Sequence, residues 1–161
     1  YPKEEARKYC CESLCELERI AEKCGVSLLL QNVSHCISGL TPSSDAVADI
    51  IGEVGGKNLG ISVNTSAVYA GGEMLNDYFN RFGEKIKAVQ ISDSDEEDEQ
   101  LVLGEGNQDI RQHIDTLAAY AYEGPVVLEI TMEEYADGAE EFYAKSIEVL
   151  KEALKGGAGH E

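Results

Sequence analysis

Four apolar runs in this chain each end on a polar side chain that can do chemistry. Leu28-Leu29-Leu30 breaks into Gln31 and Asn32, Leu59 to Val63 ends on Asn64, Lys87-Ala88-Val89 leads to Gln90 and then Ile91-Ser92-Asp93, and Val126-Val127-Leu128 ends on Glu129. Short apolar runs bounded by turn signals read as strands buried on both faces of a parallel sheet, and polar groups where such strands end read as a site. Gln31, Asn64, Gln90 and Glu129 then form a convergent ring, with His35 at its mouth and Asp93 just beyond the third strand. Of the four ring positions only Glu129 can move a proton, as base or, if desolvated, as acid. Its alternative role is structural, as an acceptor for Asn64 and Gln31. The amides both donate and accept, which suits the hydroxyls of a neutral polyol. No Ser-His-Asp or Cys-His order points to nucleophilic catalysis.

The elements that must position this ring alternate along the chain. Lys3 to Cys24 has Leu14, Leu17, Ala21 and Cys24 at helical spacing and stops at Gly25. A strand from about Ser27 to Gln31 follows, then a loop, then a helix capped by Thr41 with Pro42 at its first position and Ala46, Val47, Ile50, Ile51 and Val54 inward. Leu59 to Val63 is the second strand. A small-residue loop through Gly71-Gly72 leads to a helix carrying Met74, Leu75, Tyr78, Phe79 and Phe82. The third strand, Lys87 to Ser92, is trailed by a loop from Asp93 to Gln108, whose acidic run reads as solvated surface. Gly104-Glu105-Gly106 in that loop reads as a tight turn or a weak phosphate cradle. A helix over Asp109 to Ala121 turns Ile110, Ile114, Leu117 and Ala118 inward and leaves His113 in solvent. Val126 to Thr131 is the fourth strand, and the last helix, Gly138 to Leu154, buries Phe142, Ile147, Leu150 and Leu154. Residues 156–161 read as a disordered tail, the rest as one domain.

Composition bounds what the ring can belong to. The net charge of −18, from 31 acidic against 13 basic residues, would repel a phosphodiester backbone or an anionic membrane. No apolar stretch approaches the roughly 20 residues that span a bilayer. Cys10, Cys11, Cys15, Cys24 and Cys36 are odd in number and crowd the first quarter without Cys-x-x-Cys units, so they read as reduced thiols in a cytoplasmic protein rather than as a disulfide or zinc framework. Alternating strands and helices of this length imply parallel strands with the site at their C-terminal ends, either an open doubly wound sheet or half of a (β/α)8 barrel, whose full length is about 250 residues.

Five ordered motifs carry a resemblance. Gly25 to Asn32, Asn58 to Thr65, Val89-Gln90-Ile91-Ser92-Asp93, Leu103-Gly104-Glu105-Gly106 and Tyr122 to Glu129 resemble the successive C-terminal motifs of the xylose-isomerase-like sugar phosphate isomerase/epimerase superfamily. The resemblance implies a (β/α)8 TIM-barrel fold, present here as strands five to eight with the preceding helix. It also implies a divalent metal held by a Glu, an Asp, a His and a Glu on those strands. The matching positions are Gln31, Asn64, Gln90 and Glu129, of which only the last agrees, and a second His of the family's pattern falls on Ala67. Three amides and one carboxylate hold a cation weakly, so no metal is expected, and Mn, Mg, Co or Zn only if the degenerate site still binds.

The resemblance thus implies a sugar or sugar phosphate isomerase or epimerase acting through Glu129, with help from Asp93, His35 or an absent first half. The alternative is a catalytically inactive sugar-binding or regulatory member. Four strands of a barrel expose two edges and an apolar inner face, so the chain is expected to pair, as a homodimer or with the missing first half, or to relax to a flavodoxin-like open sheet.

Overall fold

The computed structural model describes residues 2–130 and 137–155. Helix α1, Lys3–Cys24, precedes β1, Leu28–Gln31, and α2, Ser44–Val54. Strand β2, Leu59–Asn64, runs directly into α3, Thr65–Ala70, and then α4, Leu75–Phe82. After a 3-10 turn at Gly83–Lys85 come β3, Ile86–Ile91, a small hairpin of β4, Asp93–Ser94, and β5, Glu99–Leu101, then α5, Ile110–Ala119, β6, Val126–Leu128, and α6, Ala139–Lys155.

The main sheet has the order β1-β2-β3-β6, and every pair in it is parallel. Strand order therefore follows chain order. A doubly wound sheet reverses its order at a switch point, and nothing reverses here, so the sheet is a barrel segment and not a flavodoxin-like one. Leu59, Ile61 and Val63 of β2 join Ile86 and Val89 of β3 in a core with Val47, Ile51, Tyr78, Phe79 and Leu117 of the helices. That face is the outer one. By alternation Gly60, Ser62 and Asn64 point to the inner face, where a Cβ at Gly60 would meet Lys87 Cγ at 2.9 Å and Leu29 Cδ2 at 3.0 Å. The register shift between β2 and β3 at Ile61/Ser62 accommodates Lys87 as an extra residue and returns Asn64 to a level with Gln90.

Several expectations are corrected. The cap of α2 is Ser43, whose Oγ accepts from Ala46 N at 3.3 Å; Thr41-Pro42 lies just upstream, because Pro42 sets the entry rather than the first turn. The stretch after β2 is not a loop but α3, nucleated when the Asn64 side chain accepts from Ala67 N. The acidic loop after β3 contains the β4–β5 hairpin, with Asp95 Oδ1 accepting from Glu97 N and Asp98 N in its turn. Met74 is 47% exposed at the start of α4. On α5 the buried face holds His113, not Ala118, which is exposed. On α6 the buried residues are Ser146 and Ala153, while Ile147 and Leu154 are 44% and 60% exposed. Uniform burial holds only for β2: β3 leaves Lys87 exposed, and Leu29 of β1 and Val126 and Val127 of β6 are 40–47% exposed. The end of the fourth strand at Thr131 and the tail over 156–161 fall outside the described residues.

Candidate functional site

Asn64 is the centre of the ring, and three separate constraints fix it. The Asn32 side chain brackets its backbone, with Asn32 Oδ1 accepting from Asn64 N at 2.7 Å and Asn32 Nδ2 donating to Asn64 O at 3.1 Å. Its own Oδ1 accepts from Ala67 N at 3.0 Å, capping α3. Its Nδ2 is left to donate to Glu129 Oε2 at 2.5 Å. Asn32 and Asn64 are both buried. Because Asn64 pairs with Gln90 and Gln90 with Val127, the Asn64–Glu129 bond passes over the intervening strand β3. Strands two apart in a flat sheet lie about 9–10 Å from each other, so these side chains meet because the sheet is concave on this face.

Glu129 is half-buried, and burial raises its carboxyl above the ordinary carboxylate range against the smaller, opposing pull of the Asn64 hydrogen bond. A raised carboxyl is a better proton acceptor than a solvated one. Gln90, beside it on β3, has a buried Oε1 without a hydrogen-bond partner among the described residues. Gln31, half-buried, pairs with Ser62 on the same inner face. The four ring positions thus share one face at the C-terminal ends of β1, β2, β3 and β6.

Asp93 and His35 stand apart from them. The Asp93 carboxylate is buried and accepts from the backbone N–H groups of Ser94, Gly104 and Gln108 at 2.9–3.0 Å, so both oxygens hold the excursion after β3. A Cβ at Gly106 would fall 2.5 Å from Asp93 Oδ1, which explains the second glycine of Gly104-Glu105-Gly106 as close packing on this carboxylate. His35 is exposed in the loop after β1, 3.6 Å from Cys36 Sγ, and no described contact joins it to Asn64 or Glu129.

Residues not singled out as functional complete the neighbourhood. Thr65 Oγ1 exchanges hydrogen bonds with the backbone of Ser92, and Ser66 Oγ meets Ser92 Oγ at 2.7 Å, sewing α3 to the end of β3. Gln108 Nε2 donates to Ser92 O and Ser94 Oγ, so its Oε1 accepts from His113 Nε2 at 2.8 Å. His113 is buried, its Nδ1 has no partner among the described residues, and burial lowers its tendency to protonate. The adjacent amide Asn32 and the small polar run Thr65-Ser66 were the available signals for these contacts.

The donor set does not fit a divalent cation at the head of Glu129. A cation there would face the Asn64 N–H and share Glu129 with it, and the remaining neighbours are neutral amides. Among the described residues no group of three or more His, Cys, Asp or Glu side chains converges on a point.

A parallel sheet in chain order, helices on its outer face and polar side chains gathered at the C-terminal strand ends together make a partial (β/α)8 barrel. The chain belongs to the xylose isomerase-like TIM barrel family, whose model matches residues 1–153. It is 28% identical over 120 residues to a fructoselysine 3-epimerase of Escherichia coli O157:H7, covering 74% of this chain and 44% of that protein. It is 27% identical over 159 residues to an inosose isomerase of Bacillus velezensis, covering 94% and 56%. The fold is shared with a D-allulose 3-epimerase from Methylomonas sp., at a TM-score of 0.79 and 18% identity over 95% of this chain and 58% of that one. It is shared as well with the IOLI protein solved with a zinc atom, at 0.75 and 22% over 96% and 58%. The chain spans about half the length of the relatives it matches.

Proposed function

We propose that this chain supplies the strand-five to strand-eight half of a sugar or sugar phosphate isomerase or epimerase whose metal-ligand positions are largely neutralised, with Glu129 as the proton-transferring group. Support comes from relatives that are sugar epimerases and isomerases and from one geometric observation: Glu129 is the only carboxylate of the ring, half-buried and with its proton affinity raised. Glu129 would take a proton from the carbon beside a substrate carbonyl and deliver it to the neighbouring carbon of the enediolate, which isomerises the sugar. For epimerisation, a second acid from the first half would deliver a proton to the original carbon on its opposite face. Gln31, Asn64 and Gln90 would meet substrate hydroxyls. Asp93 contributes by shaping the loop. The second reading, a sugar-binding member without turnover, draws on the Asn64 bond, which occupies one Glu129 oxygen. Deuterium uptake from heavy water at the carbon next to the carbonyl, followed by NMR on D-fructose, D-tagatose and an inosose, separates the two. Uptake that falls by roughly 100-fold or more in Glu129→Gln supports proton transfer. Saturable binding of a sugar without any uptake supports the second reading, and neither binding nor uptake sinks both.

The same reading extends to assembly. Helix α1 packs on β1 and α2, and α6 on α5 and the outer face near β6, so each open edge already has its covering helix. A second copy docked edge to edge would bring two helices to each junction. A unit that begins and ends in a strand, four strands and three helices, brings none to spare, and we take that first half rather than a homodimer as the partner.

A further inference from the structure

We propose that the Asn64 amide N–H stands in this chain where a cation would otherwise have to stand, so that Glu129 is held by an internal neutral group and the site is independent of divalent ions. The inference takes from the functional reading only the location of the site.

The amide cannot simply turn round to offer its oxygen. Flipping Asn64 would point Nδ2 at the Ala67 N–H and Oδ1 at the Glu129 carboxylate, exchanging two hydrogen bonds for two repulsive contacts. The backbone of Asn64 cannot shift to relieve this, because Asn32 holds both its N–H and its C=O. The cap of α3 and the clasp on Glu129 therefore select one amide orientation between them, and in that orientation the group facing the ring is a donor.

Replacing Asn64 by Asp keeps the cap, since an Asp oxygen accepts from the first turn of a helix as well as an Asn oxygen does. It replaces the N–H by a second carboxylate oxygen at the 2.5 Å contact with Glu129. Two carboxylates at that separation require a shared proton or a cation between them. One substitution thus separates the two arrangements. Gln90 Oε1, level with Asn64 and without a partner among the described residues, fits the neutral version: it is an acceptor open to a hydroxyl or N–H donor, which a polyhydroxylated neutral ligand brings.

Calorimetry and thermal melts with Mn²⁺, Zn²⁺ and EDTA test this on the chain itself, on Asn64→Asp and on Asn64→Ala. The chain as it stands is expected to show no saturable Mn²⁺ or Zn²⁺ binding that Glu129→Gln abolishes, and the same melting point in EDTA as in metal. Asn64→Asp should melt lower in EDTA, recover with Mn²⁺, and bind it roughly tenfold or more tightly than the parent. Asn64→Ala, which loses cap and clasp alike, should melt lower without recovery. If Asn64→Asp does not fold, Asn64→Asp combined with Glu129→Gln restores a single carboxylate and should fold in EDTA. Amide NMR gives a direct readout on the parent: one Asn side-chain N–H pair, shifted and slow to exchange, that moves in Glu129→Gln. Glu129-dependent metal binding by the parent, a folded Asn64→Asp that ignores metal even at about pH 9, where the two carboxylates no longer share a proton, or no such NMR pair overturns the proposal. None of these readouts uses turnover, so they stand whether or not a sugar is epimerised.

Discussion

The two middle strands and the two edge strands carry the same sequence design and reach different ends. β2 and β6 are both apolar runs closing on a polar side chain, yet every residue of β2 is buried, while Val126 and Val127 of β6 are 42% and 47% exposed. The middle strands have a neighbour on each side and helices over their outer face. The edge strands have one neighbour. The polar residues differ in the same way: Asn64, at the end of a middle strand, has its backbone and both side-chain groups engaged, whereas Glu129, beyond an edge strand, is half-buried with a raised carboxyl. A run of apolar residues states that a strand can be buried, and its neighbours determine whether it is.

The contrast can be broken most forcefully in the middle. Ile61→Ala, at a fully buried position of β2, should cost about 2–5 kcal/mol, read as a lower urea midpoint at unchanged slope. Asp93→Ala should cost about 3 kcal/mol, because it leaves three backbone N–H groups without their charged acceptor; Asp93→Asn, which keeps an acceptor oxygen, should cost less. An equal loss in the two Asp93 variants would show that the charge, and not the acceptor, holds the loop.

His113 sharpens the comparison through pH. Burial disfavours its charged form, and Asp109 and Asp93 oppose this only in part, so the folded state holds the proton less tightly than the unfolded chain does. The unfolded state then binds more protons as pH falls below about 6.5, and the contribution of His113 to stability, complete above that value, is lost on acidification. His113→Gln should flatten this part of the stability profile on the acid side of about pH 6.5, measured by urea melts at each pH. A slope that survives the substitution would move the effect to another group.

Smallest of all should be Val127→Ala on the open inner face, within about 0.5 kcal/mol on the isolated chain, because its side chain has little to lose. Hydrogen exchange adds the spatial version: amides of β2 and β3 should exchange far more slowly than those of β1 and β6. Should β1 and β6 prove equally protected, their free edges are hydrogen-bonded to partner strands in solution.

Much of this protein is legible in its residues. The 3.6-residue spacing of Leu14, Ala21 and their neighbours and the Gly25 stop define α1, and the apolar runs mark the sheet, because helix and strand periodicities are local consequences of backbone geometry. The apolar runs place the four ring positions at or next to the C-terminal strand ends. That they share one face follows from strand alternation and register, since Ile91 and Leu128 at the ends of β3 and β6 face the other way. Where residues meet across the fold, the sequence is silent. Whether α5 turns His113 or Ala118 inward depends on contacts with Gln108 and the hairpin after β3, and a helix with small apolar residues on two faces fits either phase. That Asn64 would reach over β3 to Glu129 depends on the curvature of the sheet, and that its amide would face the ring as a donor depends on α3 claiming its oxygen. Periodicity is written in one stretch of chain at a time, whereas curvature and hydrogen-bond direction are set by several stretches acting at once, and so only the tertiary structure decides them.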